Sequence, residues 1–261
     1  MSATLAASQH NRRPDVSDAE WELRTRLAGA YRIADHLGWT EAIYAHITLR
    51  VPGPEHHFLI NPYGLRYDEI TASNLVKVDV EGNVIGDSDY PVNRAGFIIH
   101  AAVHRAREDA HCVFHTHTAA GMAVAAQQQG LLPISIMASG FYGRVAYHDY
   151  EGPTMRLDEQ QRLVANLGTH KVMILRNHGL LTAGPTLEEA FIHMYRLNKA
   201  CEIQVAAQAG GTPLVIPSQD VCEAAVTMAD EFLEYDGQAV GRLEFDAYLR
   251  LMDKLDTSYR D

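Results

Sequence analysis

The chain has few cysteines and no long apolar run. Its 261 residues include only Cys112, Cys201 and Cys222, which are widely spaced and form no CxxC motif. An odd, scattered set of thiols argues against a disulfide framework and favours a reducing cytoplasm. No stretch approaches ~18 consecutive apolar residues, so no membrane-spanning helix is predicted. The N-terminal segment lacks the apolar core of a secretory signal, and we expect a cytoplasmic protein.

Basic residues are scarce relative to acidic ones. The chain carries 22 Lys and Arg against 33 Asp and Glu, which gives a formal net charge of −11. Nucleic acids and anionic membranes select basic surfaces, so neither is expected as a partner. The apolar fraction of 47% is ordinary for one globular domain with a sizeable core. We predict a flexible N-terminal tail over residues 1–16 and a single domain over 17–258.

The order of the predicted elements indicates an α/β protein. Ser17 and Glu20 have the spacing of a capping box before an amphipathic helix, and Gly38 can end that helix. Apolar and polar residues alternate over 43–51, which predicts a strand. Because hairpin-linked strands are mixed with single helices, we expect a mixed or antiparallel sheet with helices on both faces. Further strands are predicted over 57–61, 75–86 (a hairpin), 111–117 and 172–177, and further helices over 93–107, 119–129, 186–211, 219–234 and 243–256.

Two of the fourteen histidines stand close together on a predicted strand. His115 and His117 are two residues apart, so both imidazoles face one side of the strand. His178 follows another predicted strand, before a glycine turn, where α/β proteins commonly carry site residues. Three imidazoles with an open coordination position are typical of a catalytic metal site. Most of the other histidines are expected at ordinary positions, with His148 in a loop or beside charges and His104 and His193 on helix surfaces.

The motifs around these histidines resemble the class II aldolase/adducin family. The resemblance rests on HTH at 115–117 and RNHG at 176–179, supported by the segments 58–79 and 93–121, and it covers about residues 20–212. It implies a three-layer α/β/α fold and a divalent metal held by His115, His117 and His178. The expected metal is Zn²⁺, with Fe²⁺ or Mn²⁺ as alternatives. The resemblance also implies a small-molecule substrate and a homotetramer with active sites between subunits.

The chain departs from the aldolases of this family at the groups that move protons. Those enzymes carry a glutamate in the helix before the HxH strand, at the position that matches Gly96. Glycine can neither bind a metal nor transfer a proton. The aldolases also use a tyrosine of a neighbouring subunit, and its counterpart here is about Met137. We expect Tyr142 or Tyr147 to substitute for it, with Tyr150 also nearby.

The phosphate pocket of the aldolases is not kept either. Its small polar groups are replaced here by His46, Tyr63, Arg94 and Ala95, so a sugar phosphate is not the expected substrate. Arg94 can bind a carboxylate through two hydrogen bonds, although it also fits a surface position at the start of a helix. The residues expected to contact the substrate are Tyr63, Gly64, Arg94 and Gly96.

These features predict a metal-dependent lyase that acts on a small carbonyl or carboxylate compound by aldol cleavage or decarboxylation. The metal is expected to polarise a carbonyl and to stabilise an enediolate-like intermediate. Decarboxylation is attractive because loss of CO₂ needs no base to begin, and His46 or a tyrosine can then supply a proton. Two alternatives are a non-haem iron oxygenase for aromatic or keto acids and a non-catalytic module like the adducin head.

Overall fold

The computed structural model describes residues 13–53, 55–152, 157–233 and 237–261, with the side chains of residues 94, 95, 157, 232 and 233 excepted. Residues 1–12 of the predicted tail therefore lie outside the described part. Within that part, none of the helices combines the length and apolar character needed to cross a membrane.

Eight α-helices and seven strands are found in the described part of the chain. The α-helices are α1 (Asp18–His36), α2 (Arg94–Ala106), α3 (Ala119–Ala125), α4 (Ile136–Ser139), α5 (Leu157–Leu167), α6 (Leu187–Gln208), α7 (Gln219–Leu233) and α8 (Arg242–Leu255). The strands are β1 (His46–Arg50), β2 (Phe58–Ile60), β3 (Val76–Val78), β4 (Cys112–Thr116), β5 (Val145–His148), β6 (Val172–Leu175) and β7 (Gly179–Gly184). Short 3₁₀ helices span Tyr67–Glu69 and Ser258–Arg260.

The seven strands form one mixed sheet in the order β3-β2-β1-β4-β7-β6-β5. Neighbouring strands run antiparallel except β5 and β6, which are parallel. The centre of the sheet is β1-β4-β7, where His115 on β4 is paired with His46 on β1 and with Leu181 on β7. The predicted mixed sheet is confirmed.

Helices cover both faces of this sheet. On one face, α1, α3, α6 and α8 pack on Ile47, Phe114 and Ile174. On the other face, α2 and α5 pack on Val113 and Met173, which alternate with those residues along their strands. The three-layer α/β/α architecture is therefore confirmed, and it follows from the two-residue periodicity of the strands.

The predicted start and end of α1 are confirmed. The Oγ atom of Ser17 accepts a hydrogen bond from the backbone N–H of Glu20 at 3.1 Å, and Gly38 ends the helix with a φ of +70°. The Glu20 carboxylate does not complete the capping box. It bonds instead to Arg24 at 2.9 Å and to Lys77 at 2.8 Å, which ties α1 to the edge of the sheet.

Two α-helices, α4 and α5, and two strands, β5 and β7, were not predicted. Strand β7 occupies the segment that we interpreted as a glycine turn after His178. All six of its residues are buried, so the segment shows none of the polar alternation by which a half-exposed strand is recognised. The predicted hairpin over 75–86 is reduced to β3 and a single bridge between Val78 and Val84.

Candidate metal site

The structure brings His115, His117 and His178 together at one end of the central strands. His115 lies on β4 and His117 follows that strand by one residue. His178 lies in the turn between β6 and β7, next to Asn177, whose φ is +54°. Each imidazole offers one ring nitrogen as a possible ligand, and these three nitrogens all lie within 4.8 Å of one another.

Hydrogen-bond partners determine which nitrogens of His115 and His117 carry protons. His115 Nδ1 lies 2.8 Å from the carbonyl oxygen of Leu180, and His117 Nδ1 lies 2.5 Å from Oε2 of Glu41. A carbonyl and an ionised carboxylate only accept, so both Nδ1 atoms donate. In the neutral rings the two Nε2 atoms then carry lone pairs, and they face each other at 2.8 Å.

Burial favours the neutral forms of His115 and His178. It lowers the pKa of His115 well below its usual range, and the nearby His178 and His117 lower it further. Burial also lowers the pKa of His178 to about 4, again with a contribution from His117. Two facing lone pairs repel unless a cation lies between them. Since protonation is unfavourable at neutral pH, a metal ion fits the site better than a proton does.

The donor set fits a divalent metal. In a tetrahedral zinc site with Zn–N bonds of about 2.0–2.1 Å, ligand nitrogens lie about 3.3 Å apart. The two Nε2 atoms lie 2.8 Å apart, so a small outward rotation of the rings would let them share one ion. Leu180 and Glu41 act on the opposite ring nitrogens, as the outer partners of metal-bound histidines usually do. Three protein ligands leave a fourth position for a substrate.

Glu41 was not singled out from the sequence. It lies in the loop between α1 and β1, 76 residues from its partner His117. This loop contains two alanines with positive φ, Ala42 at +49° and Ala45 at +70°. A non-glycine residue rarely adopts this conformation, and clusters of such residues mark functional sites. Nothing in the sequence of this loop predicts the two positive φ angles.

His46 lies beside the three histidines and fills the space next to Gly96. A Cβ atom on Gly96 would lie 1.8 Å from Cε1 of His46, so the imidazole stands where a side chain at position 96 would begin. His46 is buried, and neither ring nitrogen has a hydrogen-bond partner among the described residues. Burial lowers its pKa to about 3, with a smaller contribution from His117, and the ring is therefore neutral.

These groups line a pocket of about 450 Å³. Of the residues expected to contact substrate, Tyr63 and Gly96 line it and Gly64 does not. The N-terminus of α2 reaches the pocket through Asn93 and Gly96, whereas the side chain of Arg94 lies outside the described residues. The remaining lining residues include His46, Glu41, Tyr44, Met122, Tyr150 and Asn177.

The three tyrosines considered as proton donors lie in different surroundings. Tyr150 lines the pocket and is 54% exposed. Tyr142 and Tyr147 are not among the lining residues. The Tyr147 hydroxyl accepts a hydrogen bond from the backbone N–H of Leu131 at 3.0 Å, so it is committed to the loop between α3 and α4.

The expected positions of His104 and His148 were wrong. His104 is buried on the side of α2 that packs on the sheet, where its ring stacks on Phe58 at 4.2 Å between centroids. His148 is buried at the end of β5 and bonds to Asn166. His193 is also largely buried rather than on a helix surface, at 12% side-chain exposure. Each of these rings lies between packed layers whose arrangement depends on distant parts of the chain.

A second cavity of about 430 Å³ lies between α4, α6 and α7. Its lining includes Arg144 and Lys171, which pair with Asp230 and Glu189 at 2.6 Å each. Both cations are therefore neutralised within the chain. Among the described residues, the group of three potential metal ligands lies at His115 and not in this cavity. The histidine pocket is the stronger candidate site.

Comparisons with known proteins show the family of this chain. A family model described as the class II aldolase and adducin N-terminal domain matches residues 25–205. A Caulobacter vibrioides protein, provisionally named as a class 2 aldolase, is 47% identical over 249 residues, covering 94% of this chain and 95% of the relative. Rat alpha-adducin is 44% identical over 244 residues, covering 89% of this chain and 33% of adducin.

Solved structures give the same result. The crystal structure of an aldolase II superfamily protein from Pseudomonas syringae matches with a TM-score of 0.90 and 49% identity, over 95% of this chain and 98% of that one. The L-fuculose 1-phosphate aldolase of Glaciozyma antarctica matches with a TM-score of 0.81 and 30% identity, over 96% and 97%.

Proposed function

The chain belongs to the class II aldolase and adducin family, and on that premise we propose that it is a metal-dependent lyase. Its substrate is a small, non-phosphorylated carbonyl or carboxylate compound, which it cleaves by a retro-aldol reaction or decarboxylates. The observation that carries the proposal is the convergence of His115, His117 and His178, whose ligand nitrogens all lie within 4.8 Å of one another, with the Nε2 atoms of His115 and His117 2.8 Å apart.

His115, His117 and His178 are the proposed ligands of a divalent metal, with Zn²⁺ preferred because all three donors are imidazole nitrogens. When bound, the metal supplies Lewis-acid polarisation of a substrate carbonyl. Glu41 and the Leu180 carbonyl hold the two rings in the tautomer that leaves Nε2 free. Loss of either hydrogen bond lets the ring adopt another tautomer or orientation. Metal binding is then weakened although the ligand itself is still present.

His46 and Tyr150 are the proposed groups that handle hydroxyl groups and protons. His46 is neutral, and in the retro-aldol route its acceptor nitrogen takes the proton that the substrate hydroxyl loses as it becomes a carbonyl. The hydroxyl of Tyr150 delivers a proton to the carbon that keeps the electron pair when the C–C bond breaks. Tyr142 and Tyr147 stay predictions, to be tested by phenylalanine substitution.

The pocket favours a carboxylate over a phosphate ester. The small polar groups that line the phosphate pocket of the family's aldolases are replaced here by His46, Tyr63, Arg94 and Ala95. The N-terminus of α2 provides a partial positive charge that suits a carboxylate. We therefore propose that this chain shares C–C bond cleavage with the Glaciozyma aldolase but does not act on a phosphorylated substrate.

A non-catalytic interaction module is the second candidate. It is favoured by the 44% identity to rat alpha-adducin across 89% of this chain. The retained histidine cluster argues against it, because an interaction surface does not require three converging imidazoles. A non-haem iron oxygenase remains an outcome of the test below.

The assembly and the location belong to the same proposal. Apolar side chains at the rim of the pocket, Tyr44 at 46% and Tyr150 at 54% exposure, suit contact with another subunit of a homotetramer. The three cysteines are free, buried thiols, which favours a cytoplasmic location.

The test combines metal analysis with a substrate screen. We expect about one equivalent of zinc per chain and turnover of hydroxy- or keto-carboxylates but not of their phosphorylated counterparts. His115→Ala removes both metal and turnover, whereas the matched control His111→Ala, at an exposed position, removes neither. Iron together with oxygen consumption would establish the oxygenase instead. Absence of bound metal would favour the interaction module.

A further inference from the structure

A row of three hydrogen-bonded side chains lies behind His46, between β1 and α2. His104 Nδ1 lies 2.8 Å from the carbonyl oxygen of Ala110. His104 Nε2 lies 2.7 Å from Oγ1 of Thr48. The same Oγ1 lies 2.7 Å from Nδ1 of His100. All three side chains are buried, so the row has no contact with solvent.

The direction of every hydrogen bond in this row is determined. The Ala110 carbonyl only accepts, so Nδ1 of His104 carries the proton and its Nε2 carries a lone pair. Thr48 has a single hydroxyl hydrogen and must donate it to that lone pair. The oxygen of Thr48 therefore accepts from Nδ1 of His100, which makes Nε2 of His100 an acceptor only.

Neutral rings are required for this reasoning, and burial ensures them. It lowers the pKa of His104 to about 3, although the bond to Ala110 acts in the opposite direction. It also lowers the pKa of His100 well below its usual range, with His46 and His104 adding to the effect. Neither ring carries two protons near neutral pH.

The acceptor at the end of the row has no partner among the described residues. Nε2 of His100 is buried without a hydrogen bond, as are both ring nitrogens of His46. The two rings are edge to face, with centroids 5.8 Å apart and planes at 82°. Two imidazoles joined by a direct N–H···N bond have their centroids about 5 Å apart. At a larger separation, one water molecule can bridge the two nitrogens. Buried polar atoms are nearly always satisfied in such a way.

His115 does not compete for this acceptor. Its ring centroid lies 6.4 Å from that of His100, but its Nδ1 bonds to Leu180 and its Nε2 faces His117. His46 is the neighbour with a free N–H, and unlike His100 it lines the pocket.

We propose that His100 is a positioning residue for His46: its Nε2 accepts the N–H of His46, directly or through one ordered water, and leaves the other His46 nitrogen as an acceptor that faces the pocket. An acceptor at this point recognises a hydroxyl group, so the favoured substrates are hydroxylated carbonyl compounds. The consequence for substrates rests on the proposed lyase function, whereas the proton positions do not.

The ring nitrogens can be read by ¹⁵N NMR on the intact protein labelled at histidine. We expect His100 to be protonated at Nδ1 and His46 to populate one tautomer in the wild type between pH 6 and 8. Thr48→Val removes the hydroxyl group with almost no change in the shape of the side chain. We expect the rings of His100 and His46 to populate both neutral tautomers in this variant. Thr48→Ser keeps the hydroxyl and restores the wild-type spectrum.

Turnover provides a separate readout. In Thr48→Val we expect kcat to fall about 10- to 100-fold, as for other outer partners of site residues, with KM nearly unchanged and with Thr48→Ser close to wild type. His100 protonated at Nε2, or a mixture of His46 tautomers in the wild type, would overturn the positioning role even if Thr48→Val fails to fold. If no substrate is turned over, the lyase proposal fails while the NMR result still decides the role of His100.

Discussion

The imidazole of His46 and the missing side chain of Gly96 occupy the same space. Cε1 of His46 lies 1.8 Å from the place of a Cβ atom on Gly96, and Nδ1 lies 2.2 Å from it. The two positions are 50 residues apart in sequence, one on β1 and the other in the first turn of α2. A histidine at position 46 and a side chain at position 96 are therefore mutually exclusive without rearrangement.

Gly96→Ala should destabilise the protein. Helix propensity alone predicts a gain of up to about 1 kcal/mol for alanine over glycine inside a helix. The clash with His46 acts in the opposite direction, and overpacking a core typically costs about 1–3 kcal/mol. We expect a net loss in the free energy of unfolding, measured by urea denaturation at pH 7.

A double-mutant cycle identifies the cause of that loss. In the His46→Ala background the clash is gone, so Gly96→Ala should become neutral or stabilising. An equal loss in both backgrounds would mean that His46 does not occupy this space.

Glu41→Gln should weaken metal binding without removing a ligand. The Glu41 carboxylate accepts from Nδ1 of His117 at 2.5 Å and is half exposed. Amide substitution removes the negative charge that raises the basicity of the imidazole. Losses of about 10- to 100-fold in affinity are typical for such outer partners, and competition with a chelator of known affinity measures them.

Glu22→Gln is the matched control, because Glu22 is an exposed glutamate on α1. It should leave the zinc affinity unchanged. Equal zinc affinity in Glu41→Gln and in the wild type would remove Glu41 from the site.

His104 should make the metal-free protein less stable in acid. Burial lowers its pKa to about 3 in the folded state, whereas the unfolded value is about 6.5. The unfolded chain therefore binds more protons between these pH values. Stability is at its full value above pH 6.5 and falls as the pH drops, by about 2 kcal/mol from pH 7 to pH 5 for this one residue.

The contribution of His104 can be isolated by comparing how the free energy of unfolding depends on pH in two variants. His104→Gln should reduce the loss of unfolding free energy between pH 7 and pH 5 by about 2 kcal/mol, whatever its stability at pH 7. His111→Gln, at an exposed histidine, should keep the wild-type slope. Identical slopes for His104→Gln and the wild type would show that His104 is not neutral in the folded protein.

The three proposed metal ligands could be singled out from the sequence because their spacing carries the information. His115 and His117 alternate on one strand, and His178 follows another, so local periodicity and a strand end were sufficient to single them out. The sheet order β1-β4-β7 could not be obtained in that way. It is this order that brings His46 opposite His115.

The surroundings of the ligands depend on the tertiary structure. Glu41 reaches His117 only because the loop before β1 adopts two left-handed alanines, and nothing in the local sequence marks them. The burial of His104 was misjudged for a similar reason. A histidine on a helix has the same local pattern whether that face meets solvent or, as here, the polar side of β1.

The most direct measurement of the central claim is zinc X-ray absorption on the reconstituted protein, together with the metal content per chain. We predict one zinc per chain with three imidazole nitrogens at about 2.0 Å, and no tightly bound zinc in His115→Ala, His117→Ala or His178→Ala. A wild-type protein that binds no zinc after reconstitution, or three variants that bind it as tightly as the wild type, would contradict the assignment of these histidines as a metal site.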